Sequence, residues 1–132
     1  MEDVENQRMN GNVLCPGLGD YLIVQARNNH WSNHRLHSAC LRLPPPEYYA
    51  NRPSYFGSIH IHLDHIVFVD RLHLERLTGE QYLPTNVGLE LHSELSPLVE
   101  DQVTADKALI EYCEAATPET LVSKVSFNLL DC

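Results

Sequence analysis

Apolar and polar positions along this chain alternate in short stretches more often than they recur at helical spacing. Residues 21–26 make a compact run of β-forming side chains, and in residues 36–43 Ala39, Leu41 and Leu43 alternate with Cys40 and Arg42. The longest such stretch is 59–69. There Ile59, Ile61, Leu63, Val67 and Val69 fall on one side at period two, and His60, His62, Asp64, Ile66 and Phe68 on the other. Val87, Leu89 and Leu91 alternate with Gly88, Glu90 and His92, and Val125, Phe127 and Leu129 with Lys124, Ser126 and Asn128. Alternation of this kind predicts half-buried strands.

One segment follows a different period. Ser96-Pro97 has the form of an N-cap followed by a first-turn proline, and Glu100 and Asp101 suit the positive end of a helix dipole. Val99, Val103, Ile110 and Cys113 then share one helical face until Thr117-Pro118 breaks it. Turn chemistry punctuates the rest: Cys15-Pro16-Gly17-Leu18-Gly19-Asp20, Pro44-Pro45-Pro46, Thr78-Gly79-Glu80 and Pro84-Thr85-Asn86. The expected fold class is α+β: a β-rich, mainly antiparallel sheet of about five short strands with one amphipathic helix packed on it. Residues 1–12 are expected to be a flexible acidic tail and 13–132 a single globular domain, a size that one hydrophobic core can serve. No internal repeat and no glycine-rich phosphate loop is present, which argues against a doubly wound nucleotide-binding fold.

Charge narrows the functional classes. The net charge is −9, unevenly placed: residues 1–66 carry six acidic and five basic side chains, residues 67–132 twelve and four. An acidic half with scattered arginines repels phosphate backbones and anionic lipid, so neither nucleic acid nor membrane is expected as a partner. No apolar run is long enough to span a bilayer. The polar, acidic first twelve residues suit neither a signal nor a transit peptide, so an intracellular location, cytoplasm or nucleus, is expected. Cys15, Cys40, Cys113 and Cys132 form no CxxC pair and are expected to be reduced thiols.

The densest chemistry is His60-Ile61-His62-Leu63-Asp64-His65. On a strand, His60, His62 and Asp64 project from one side about every 7 Å. Two imidazoles and a carboxylate can hold Zn²⁺ or Fe²⁺ with positions left open, and His65 adds a fourth donor. The order His60-x-His62-x-Asp64-His65 resembles the signature of the metallo-β-lactamase fold, a family of metal-dependent hydrolases. That resemblance implies His60 and His62 on one metal and the Asp64-His65 pair helping to bind a second. The quieter alternative is a solvated sheet face on which Asp64 orients a neighbouring imidazole. A second cluster, His30, His34, His37 and Cys40, has zinc-compatible donors, but a strand over 36–43 sends His37 and Cys40 to opposite faces.

Two functional classes follow. The leading one is a small non-enzymatic module for protein interaction or self-assembly, an accessory protein whose partner is another protein or a second copy of itself. Its expected contact surface is Tyr48, Tyr49, Tyr55 and Phe56, beyond the proline run, and it requires no cofactor. The alternative is a metal-dependent hydrolase with zinc at His60, His62, Asp64 and His65. Six of the eight histidines lie in residues 1–66, which also suggests a surface whose charge changes toward pH 6.

Overall fold

A computed structural model describes residues 17–85 and 90–127. Helices account for its regular structure: α1 (Leu18–Cys40), the short α2 (Pro45–Tyr49), α3 (Ile59–Thr78), α4 (Leu95–Ala115) and the single-turn α5 (Pro118–Leu121). The β-rich α+β expectation is therefore overturned, because no strand occurs among the described residues. Residues 21–26 and most of 36–43 belong to α1, and 59–69 opens α3. The stretch 125–127 is irregular, while the expected tail 1–12 and the centre of the 87–91 alternation lie outside the described residues.

Local signals explain the helix ends. Ser58 caps α3 by accepting the Ile61 N–H at 3.2 Å. At its other end Gly79 takes the left-handed conformation, φ 73°, and its N–H returns to the Glu75 carbonyl. Asp20 accepts the Gly17 N–H at the start of α1. The N-cap of α4 is Glu94, two residues before the expected Ser96. Pro97 still falls in the first turn, where its missing N–H costs no intrahelical bond, and the Leu95 N–H donates to Tyr49 Oη.

Helix α4 packs against both α1 and α3, and α2 rests on α3. An apolar cluster of Cys40, Tyr48, Leu63, Val67 and Leu98 joins all of these, with Ile59, Leu91 and Leu95 packed around it. Outside that cluster Ala26, Leu74, Leu83 and Ala105 share the interior with polar side chains. Asn33, His37, His60, Asp64, Gln102 and Asp106 are all buried, so hydrogen bonds hold as much of the helix packing as apolar contact does.

Candidate functional site

The helical course of residues 59–78 divides the histidine segment between two faces. His60 and Asp64, one turn apart, point inward and are 3% and 1% exposed. His65 lies on the exposed surface and His62 is half-buried beside it. The four expected ligands therefore do not share a face. Among the described residues no three histidine, cysteine, aspartate or glutamate side chains converge to hold a metal ion.

The inward pair is fully engaged. Asp64 accepts the main-chain N–H of Leu91 at 2.6 Å and of His92 at 3.0 Å, and its Oδ1 lies 2.8 Å from His92 Nδ1. His92 Nε2 lies 3.0 Å from Asp101 on α4, and Asp101 is paired with Arg71 on α3. With a proton on each nitrogen, the His92 ring donates to both carboxylates. His60 Nε2 donates to the His92 carbonyl at 2.7 Å, so its Nδ1 accepts from Tyr48 Oη at 2.8 Å. Burial, with Tyr49 second, pushes the Tyr48 phenol far up, which keeps it a donor. The whole arrangement clasps the α3–α4 connection onto α3. Glu75 performs the same task at the other end of that connection, accepting the N–H groups of Tyr82 and Leu83.

A second polar centre joins α1 to α4. Asp106, 2% exposed, accepts from Asn33 Nδ2 and Gln102 Nε2 at 2.9 Å each and from Asn29 at 3.2 Å, with His30 Nδ1 also 3.2 Å away. Gln102 donates again to Asp70 on α3 at 2.8 Å. Burial raises the Asp70 pKa, opposed by the Gln102 hydrogen bond and reinforced by the Asp106 charge. His37 nearby is lowered by burial, with the Asp106 charge acting against that shift. Of the second histidine cluster, His37 and Cys40 are buried on one face of α1, not on opposite faces, while His34 is exposed.

The outward histidines form a different surface. Phe56 packs edge-on against His62, 5.0 Å between ring centres, and lies tilted against His65 at 4.5 Å. His62 Nδ1 donates to the Ser58 carbonyl at 2.7 Å, which leaves Nε2 as its acceptor. Of the expected contact residues, Tyr48 is a core side chain at 2% exposure, Tyr49 is partly exposed and Tyr55 projects into solvent at 92%. Burial raises both Cys40 and Cys113, so neither thiol has the lowered pKa of a nucleophile.

Sequence reasoning passed over Asn33, Gln102, Asp106 and Asp101. The signal for three of them was present as Asn29-x3-Asn33 and Gln102-x3-Asp106, amide and acid pairs one helical turn apart. No helix among the described residues is long and apolar enough to cross a membrane.

The model of the DinB family matches residues 14–124. No curated protein and no solved structure matches the chain. This match and the all-helical architecture overturn both functional expectations. The metallo-β-lactamase fold is absent, because its resemblance rested on six residues that here form a helix, and the small non-enzymatic interaction module has no support.

Proposed function

Since the chain belongs to the DinB family, we propose that it is an enzyme-like metal-binding protein, with zinc as its metal and His65 and His62 as the side chains that present to it. The observation that carries this reading is the division of the histidine segment over α3. His60 and Asp64 are committed to the clasp, whereas His65 is exposed and His62 keeps a free Nε2. A neutral imidazole nitrogen is a good zinc donor, and residues three apart on a helix stand side by side.

The described residues supply two donors and not a closed set. Phe56 lies against both rings and has to shift for them to turn toward one ion. Catalytic zinc keeps three protein ligands and one open position, so this pair would need one further donor beside it. The buried clasp would then serve as the support that fixes the pitch of α3 beneath the ligands.

Zinc titration of the purified chain by calorimetry, with elemental analysis of the loaded protein, tests this. Stoichiometric zinc that is lost in His65→Ala and weakened in His62→Ala supports the reading, provided both variants keep their helical spectrum. A folded protein that takes up no zinc, or zinc uptake indifferent to His65→Ala, overturns it.

A further inference from the structure

A cavity of about 170 Å³ opens where α1 ends and α2 begins. Cys40 and Tyr48 form its floor, and Leu41, Leu43, Tyr49 and Leu95 stand around it. No charged side chain lines it. The two phenols are already engaged, Tyr48 Oη with His60 and Tyr49 Oη with the Leu95 N–H. What remains on the cavity surface is mostly hydrocarbon and aromatic edge, with one weakly polar thiol.

The rim is unusually apolar for surface in contact with water. Leu41 is 55% exposed, Tyr49 42% and Leu43 37%, all around one opening. A larger cavity of about 380 Å³ beside the end of α3 is lined by Glu75, Arg76 and Glu80 and suits a different chemistry. The cavity against Asp70 and Asp106 holds about 40 Å³, room for water only. Apolar cavities near 150 Å³ stay dry and admit benzene.

We propose that the Cys40–Tyr48 cavity binds a small neutral alkyl or aryl group, about one aromatic ring in size. Three features set that class. The volume limits the size, the uncharged lining excludes ions that would lose their hydration, and the engaged phenols leave little to reward a polar ligand. Filling the cavity removes the exposed faces of Leu41, Leu43 and Tyr49 from water, which supplies the driving force. The assignment is independent of the metal reading, since none of these residues is an outward histidine.

The test is a titration of the full chain with benzene, followed by amide and methyl NMR. Saturable shifts at Leu41, Leu43, Tyr49 and Leu95 are expected. They should vanish in Leu43→Glu, which places a charge at the opening, and persist in Leu43→Ile. In a Cys15→Ser/Cys113→Ser/Cys132→Ser variant, benzene should also slow alkylation of Cys40 by iodoacetamide. Three results overturn the proposal: no saturable shift up to the solubility of benzene, shifts indifferent to Leu43→Glu, or shifts at these residues on simple dilution. The last would mean that a second copy covers the opening.

Discussion

Asp64 and Asp106 are both buried carboxylates on the inner faces of long helices, yet they hold the protein together in different ways. Asp106 accepts from side-chain amides, those of Asn29, Asn33 and Gln102, and thereby ties helix to helix. Asp64 accepts from the main chain of Leu91 and His92 and from the His92 ring, and ties a connection to a helix. A side-chain amide that loses its acceptor can turn toward another partner. A main-chain N–H cannot be deleted, so losing Asp64 strands two donors beneath the surface. The same residue type thus carries a different penalty according to what it accepts from.

The largest expected effect is that of Asp64→Ala. It removes the acceptor of the His92 ring and strands two main-chain N–H groups, so a loss of about 3–5 kcal/mol is expected in denaturant unfolding. Hydrogen exchange should show the Leu91 and His92 amides losing protection first. Asp106→Ala should cost less, about 2–3 kcal/mol, because Asn29 lies near solvent and Gln102 keeps its bond to Asp70, which leaves Asn33 as the buried amide without its acceptor. In Asn33→Ala/Asp106→Ala the two losses should not add, since each mutation removes the other's partner. Equal losses for Asp64→Ala and Asp106→Ala would break the distinction between main-chain and side-chain acceptance.

A pH-dependent effect sharpens the Asp106 side of the comparison. The Asp70 pKa is raised by burial, so folding disfavours its ionised form. Its contribution is fully present below the unfolded value, about pH 4, and is lost as pH rises through the folded value. Asp70→Asn should therefore raise the melting temperature at pH 7, and the advantage should disappear below about pH 4. The smallest effect belongs to an exposed tie between the same two helices. Arg27 and Glu114 approach to 2.7 Å with both side chains well solvated, so Arg27→Ala should change stability by less than about 1 kcal/mol.

Legibility followed the nature of each buried face. Helix α4 was readable from its helical spacing of apolar residues, but the expected face of Val99, Val103, Ile110 and Cys113 is only partly buried, and the side turned inward is Leu98, Gln102, Ala105 and Asp106. Helix α1 was not, because its buried positions are Ala26, Asn33, His37 and Cys40, a stripe with little hydrophobicity to count. In α3 the apolar residues of 59–69 satisfy period two by coincidence, while the buried set His60, Leu63, Asp64, Val67 and Leu74 keeps helical spacing. A strand of that length exceeds the usual five or six residues, which was the available warning. The histidine segment itself was found from sequence. Its division into a clasp and an outward pair depends on the helix, so a strand reading could not produce it.

The clasp also bears on how this protein can change over generations. Asp64 recognises the backbone at position 91, and a backbone amide is the same whatever side chain it bears. Any residue but proline at that position can keep the bond, whereas the carboxylate that receives it has no such latitude. A change of side chain at position 91 therefore gives up its packing on the apolar cluster without releasing the bond to α3.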